Sequence, residues 1–232
     1  MTTWVWSDLH INHANLATKW RLWAGGTVET HNEYIKERWN AHVKPGDTVW
    51  LVGDAVMGKR AESIEWVRKN LRGEIHLIPG NHDNIHPAIH HKSPEKAEEI
   101  KALYESAFII EPVLVNGSVI GLDHHVLVTH FPWEGTADHA ESDREHLSKW
   151  HPKRESYSAD AVLVHGHTHQ SNIYGDMSVH VGVDSFTFGP VRVEELQTYV
   201  SACRLNNADL YPITDDDRRV GAEVAAMIKG GF

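Results

Sequence analysis

The chain has 232 residues, 41% of them hydrophobic, a length and composition that suit one sizeable core and a single α/β domain. Its 32 Asp and Glu against 22 Lys and Arg give a formal net charge of -10, which argues against a broad basic footprint for duplex nucleic acid and favours a small or exposed substrate. A lone cysteine, Cys203, excludes an internal disulfide and reads as a packed helix residue. No apolar run reaches membrane length and no leader-like apolar stretch precedes the first strand, so no membrane partner and residence in the cytoplasm are the expectation.

Taken in order, Trp4-Val5-Trp6-Ser7 reads as an apolar strand running into Asp8 and His10. The polar loop Ile11 to Asn15 follows, in which His13 and Asn15 either contact a substrate or make hydrogen bonds within the loop. Trp20, Arg21 and Trp23 lie in a segment ending at Gly25-Gly26, read as a surface loop forming one wall of a cleft. Thr30 with Glu33 three residues on forms a capping box, predicting a helix through about His42 whose Tyr34, Ile35 and Trp39 face the core. Lys44-Pro45-Gly46-Asp47 ends that helix, and Val49-Trp50-Leu51-Val52 is a second strand delivering Gly53-Asp54. After Ala55 to Arg60 comes a helix carrying Ile64, Val67 and Leu71 inward.

The apolar run Ile75 to Ile78 is stopped by Pro79-Gly80 and presents Asn81, His82 and Asp83 in succession. Residues 84 to 94 read as an irregular loop holding His86, His90 and His91, solvated rather than a third metal site, and ended by an N-cap at Ser93 with Pro94 at the first helical position. Val113 to Ile120 reads as a hairpin, with Asn116-Gly117 supplying its two positive-φ positions. Val126-Leu127-Val128 runs to His130. The polar insertion from Phe131 to Asp160, lid-like in length, is expected to hold a short helix near Ser142 to Trp150. Val162-Leu163-Val164 leads to Gly166-His167-Thr168-His169, with His165, Asp123, His124 and His125 read as structural. A strand from Val179 to Asp184 and a helix from about Glu194 complete the domain, and residues 205 to 232 look like an appended tail suited to docking or to pairing chains in a homo-oligomer.

Five apolar strands thus each deliver metal-type ligands at the same end, and such strand ends are where ligands collect in open α/β sheets. Imidazoles and carboxylates without thiolates suit manganese, iron, zinc, cobalt or nickel. His82 stands beside that set as a candidate proton donor to whatever reacts there, with Asp83 holding its ring through the other nitrogen or, alternatively, capping the loop.

The ordered set Asp-x-His, Gly-Asp, Gly-Asn-His-Asp, a lone His after a strand and Gly-His-x-His resembles the calcineurin-like metallophosphoesterase superfamily, from Asp8 to about Val191. The resemblance implies a four-layer αββα sandwich of two mixed sheets flanked by helices. It implies two divalent transition metal ions, manganese first among them, with Asp54 as the bridge. Asp8, His10 and His169 would serve one ion, and Asn81, His130 and His167 the other. It further implies hydrolysis of a phosphoric ester by attack of a metal-bridging hydroxide.

Where the protein phosphatases of that superfamily carry Gly-Asp-x-x-Asp-Arg-Gly, this chain has Gly53-Asp54-Ala55-Val56-Met57-Gly58-Lys59, and Gly-Asn-His-Asp replaces Gly-Asn-His-Glu. These departures leave the bacterial and phage-type phosphodiesterases, including those acting on cyclic nucleotides, as the branch resembled, with a small phosphodiester or nucleotide as substrate. Arg21 and Arg60 could reach its phosphate, solvation being the alternative for both. A phosphomonoesterase, a nuclease, or a metal-binding scaffold without catalysis are the other readings.

Overall fold

A computed structural model describes residues 1–136 and 147–206. Among the described residues, ten strands form two mixed sheets, which share one buried apolar cluster and are flanked by helices, as the expected αββα sandwich requires. In the first sheet, β1 (Thr3–Trp6), β2 (Thr48–Val52), β3 (Glu74–Ile78) and β4 (Ile109–Ile110) run parallel. Parallel neighbours need crossovers, and helices supply them: α1 (Val28–His42), α2 (Arg60–Asn70) and α3 (Pro94–Glu105). Burial on both faces explains why β1 and β2 read as unbroken apolar runs.

The second sheet has the order β5-β6-β7-β9-β8, from β5 (Leu114–Asn116), β6 (Val126–Thr129), β7 (Val162–His165), β8 (Tyr174–Gly175) and β9 (Ser178–His180). β10 (Val191–Arg192) returns to pair antiparallel with β1, and α4 (Val193–Asn206) follows, touching strands of both sheets. Cys203 on α4 is fully buried, and burial pushes its thiol up to about 12, as suits a packing residue. Among the described residues, no helix is long and apolar enough to cross a membrane.

Four local expectations need correction. α1 begins three residues early: Thr27, in an extended conformation, accepts from the Thr30 N–H at 3.2 Å, and Thr30 Oγ1 returns the bond to the Thr27 N–H at 3.1 Å, so Thr30 is the partner of the cap and not the cap. The Asn-Gly pair makes no tight hairpin. Asn116 accepts from the Ser118 N–H, the chain enters a 3-10 turn over Gly117–Val119, and β5 pairs antiparallel with β6 across the longer connection.

The loop after β3 is not uniformly solvated, because His86 is 1% exposed, its ring packed on Phe131 and Trp150. Lastly, Arg21 is no surface residue: its flanks Trp20, Leu22 and Trp23 are exposed, but the guanidinium turns inward to the ion pair with Asp184. A 3-10 turn at Ser148–Trp150 lies inside the insertion, while residues 137–146, and the tail from 207 onward, fall outside the described residues.

Candidate metal centre

Pairing continues past the strand ends and registers the loops that carry the chemistry. The N–H groups of Asp8, His10 and Ile11 donate to the carbonyls of Gly53, Asp54 and Ala55, and the Gly166 N–H donates to His130. The sheets are then tied together at this edge. His130 Nδ1 lies 2.9 Å from the Val52 carbonyl, and the His167 N–H meets both Asp8 oxygens at 3.1 and 3.2 Å. Asp8, His10, Asp54, His167 and His169 all have φ between 49° and 69°, a left-handed backbone that costs a non-glycine residue free energy and concentrates at functional sites. The chain leaving β1, β2 and β7 is in this way bent toward one point.

At that point the seven candidate ligands meet. His10 Nε2 is 3.0 Å from His169 Nε2, and both face Asp8 Oδ1, at 3.8 and 3.6 Å. On the other side, Asn81 Oδ1 is 3.0 Å from His130 Nε2 and 2.9 Å from His167 Nδ1. Asp54 Oδ2 lies between the two halves, 3.5 Å from His10 Nε2 and 3.4 Å from His130 Nε2. Two subsets, Asp8 with His10 and His169 and Asp8 with Asp54 and His130, offer ligand atoms within 4.8 Å of one another.

Electrostatics at the cluster follow from burial and close contact. Burial, aided by the neighbouring His169, Arg21 and His82, drives His10 well below the usual imidazole range against the pull of Asp54. Burial also opposes charge on Asp54 and His130, but their mutual contact outweighs it, holding Asp54 well below the carboxylate range and lifting His130 to about 9. Because His130 Nδ1 faces the Val52 carbonyl, the neutral ring keeps its proton there and Nε2 is the atom that a metal ion would take in place of the second proton. Gly80 is required by proximity: a Cβ there would lie 2.3 Å from Asp54 Oδ1.

The flanking residues sort by distance. His82, half-buried, donates its main-chain N–H to Asp54 Oδ1 at 2.9 Å, and its ring centroid is 5.5 Å from His10 and 6.3 Å from His13. His13 Nδ1 accepts from the Leu16 N–H, so the neutral ring carries its proton on Nε2. Asn15 is exposed and caps nothing.

Asp83 does not hold the His82 ring. Fully buried, it accepts from the N–H groups of Asp54, Ala55 and Gly80, the loop-capping alternative; burial and the Asp54 carboxylate push its acid up to about 7. Arg60 is engaged with the chain as well, donating to the carbonyls of Gly58 and His82 and to Asn84 Oδ1, so it braces the His82 loop.

Two participants escape sequence reasoning. Asp184, just beyond β9, accepts from His169 Nδ1 at 3.0 Å and from Arg21 at 2.7 and 3.0 Å. Phe131 packs against His130 and His167, closing one side of the cluster. The only prior signal for Asp184 was its position at a strand end, shared with many structural aspartates.

The family model for calcineurin-like phosphoesterases matches residues 1–202. The Gene 66 protein of Mycobacterium phage D29 is 32% identical over 193 residues, covering 79% of this chain and 88% of that protein, and the Gene 66 protein of Mycobacterium phage L5 is 31% identical over 198 residues, covering 79% and 87%. In fold, the chain is similar to a protein of unknown function from Aquifex aeolicus, with a TM-score of 0.54 at 17% identity, over 85% of this chain and 98% of the other. The match over nearly all the described residues, together with the two phage relatives, shows that the chain belongs to the calcineurin-like phosphoesterases, a metal-dependent family of phosphoric ester hydrolases.

Proposed function

We propose that the chain binds two divalent transition metal ions, manganese foremost, and hydrolyses phosphodiesters, small nucleotide diesters among them. The observation that carries this reading is Asp54 Oδ2, placed 3.5 and 3.4 Å from imidazole nitrogens of opposite halves of the cluster, where a bridging carboxylate belongs. The donor set fits the ions. Two imidazole Nε2 atoms 3.0 Å apart share at most one proton between them, and a cation between them satisfies both lone pairs. His10 and His169 would hold one ion with Asp8, and His130 and His167 the other with Asn81.

When bound, such a pair supplies Lewis-acid stabilisation of phosphoryl oxygens and acidifies water near neutral pH. The chain's own residues do the rest. Asp8 and Asp54 are the only carboxylates among the seven, so two dications leave a positive excess that accepts an anionic ester, and the neutral Asn81 preserves it. His82, beside the cluster but outside it, gives a proton to the leaving-group oxygen. His13 presents its Nε2–H next to His82, available to a phosphoryl oxygen.

Preference for diesters is supported by the absence of the Asp-Arg pair after Gly53-Asp54, which leaves one fewer cation for a doubly charged monoester. A cytoplasmic setting is supported by the single cysteine, and Phe131, at the start of the insertion, lines the site by packing on His167. The test is turnover of an aryl phosphodiester and of the matching monoester with manganese, with chelator, and with a single-stranded oligonucleotide as third substrate. Faster diester turnover, lost to chelator and restored by manganese, is the result expected. A faster monoester reaction, oligonucleotide cleavage as the dominant activity, or inertness toward all three overturns the proposal.

A further inference from the structure

We propose that the buried Arg21–Asp184 pair is a positioning device for one half of the metal centre: Asp184 sets the tautomer and tilt of His169, while Arg21 anchors Asp184 and the Asp8 main chain together. The inference deepens the two-metal reading and rests on it. Its first support is geometric. Asp184 Oδ2 is 3.0 Å from His169 Nδ1, so the ring proton sits on Nδ1 and the Nε2 lone pair turns toward His10 and Asp8. Arg21 Nη2, which can only donate, lies 3.3 Å from the same Nδ1 and 2.7 Å from Asp184 Oδ2. The two donors therefore converge on one acceptor and do not bond each other.

The second support is the reach of the guanidinium. At 1% exposure, Arg21 donates through Nε and Nη2 to both oxygens of Asp184, through Nη1 to the Asp8 carbonyl at 2.8 Å, and lies 3.3 Å from His31 Nε2. One rigid fork thus spans the main chain of one candidate ligand and the carboxylate that orients another. Its third support is charge. A buried guanidinium beside a cation site repels the cations unless it is neutralised, and Asp184 is the carboxylate that pairs with it. His31 does not add to that repulsion, since burial and Arg21 itself hold its ring neutral, down to about 4.

Asp184→Asn keeps the shape and breaks the function. Asp184 accepts at both oxygens, so an amide NH2 at either position meets a donor of Arg21 or His169. One solution of that conflict moves the imidazole proton to Nε2, which can then no longer be a ligand. Arg21→Lys keeps the charge, but a single ammonium cannot span Asp184 and the Asp8 carbonyl as the fork does.

The experiment titrates manganese into metal-free wild type, Asp184→Asn and Arg21→Lys by calorimetry and records electron paramagnetic resonance at two added equivalents, with metal-free melting as a folding check. Wild type takes up two equivalents and gives a spin-coupled spectrum. Asp184→Asn retains one equivalent, binds the other about tenfold to a hundredfold more weakly, and shows the signal of isolated manganese. Arg21→Lys shifts in the same direction, and it decides the matter alone if Asp184→Asn fails to fold. Two equivalents at wild-type affinity in the variants that fold, whatever the change in metal-free melting, reduces the pair to a structural role and overturns the inference. Wild type binding fewer than two equivalents overturns the two-metal reading, and the inference falls with it.

Discussion

Gly80→Ala adds one methyl group at a crowded point of the site. The new carbon lies 2.3 Å from Asp54 Oδ1, 2.6 Å from the Asp54 main-chain nitrogen and 2.9 Å from His130 Cδ2. Taking the oxygen from 2.3 Å to the 3.4 Å of ordinary contact moves it by about 1.1 Å, several times the tolerance of roughly 0.2 Å on a ligand distance. Because one of the obstructing atoms is backbone, a rotamer change alone cannot relieve the clash. Overpacking of this kind costs about 1–3 kcal/mol, which lowers the melting temperature by roughly 2–12 °C in a chain of this size. Gly46→Ala is the control, since its φ of +89° brings backbone strain but nothing lies within 4 Å of the added carbon.

Thermal melts of the metal-free proteins and manganese titrations read the two effects separately. Both variants lose stability, but only Gly80→Ala loses metal. Manganese uptake by Gly80→Ala at wild-type affinity would show that Asp54 does not hold the ions where its carboxylate now sits, and the reasoning would fail.

Asp54→Ala is expected to lose metal and turnover together, whereas His82→Ala keeps metal and loses turnover; equal metal loss in both, measured by elemental analysis, removes the division of roles. Asp83→Ala strands three buried N–H donors, at about 1–3 kcal/mol each before any relaxation. Its urea midpoint should fall far more than that of His82→Ala, and an unchanged midpoint would refute the loop-capping role of Asp83. At Asp123, burial opposes the anion, but the hydrogen bonds from Arg204 and Gln197 prevail and hold it down to about 2. With the folded acid depressed below its unfolded value, its contribution of roughly 2 kcal/mol is present above pH 4 and disappears as pH falls toward 2. The stability gap between wild type and Asp123→Asn should close over that window, and a gap independent of pH would refute the assignment.

The parts of the site that were legible in the sequence share one property: each is a ligand-type residue immediately beyond an apolar strand. Parallel strands buried on both faces leave unbroken apolar runs, and the residue after such a run is fixed at the sheet edge, so Asp8, Asp54, Asn81, His130 and His167 could be placed without coordinates. Arg21 shows where that logic stops. Its neighbours Trp20 and Trp23 are 78% and 48% exposed, and the local pattern reads as surface, because the inward turn of one side chain depends on Asp184, 163 positions away.

Asp83 was misassigned for a similar reason. Adjacency to His82 suggested a ring partner, but successive residues in a tight turn point apart, and the carboxylate satisfies the N–H groups of the neighbouring loop instead. At Asn116, local hydrogen bonding by the side chain competed with the hairpin geometry and prevailed.

The claim beneath the rest is that two ions sit on either side of Asp54, and anomalous diffraction from crystals equilibrated with manganese tests it directly. Two peaks are predicted, one among Asp8, His10 and His169 and one among Asn81, His130 and His167, both adjoining the Asp54 carboxylate. Anomalous density that is absent there, or confined to a position away from Asp54, contradicts the account.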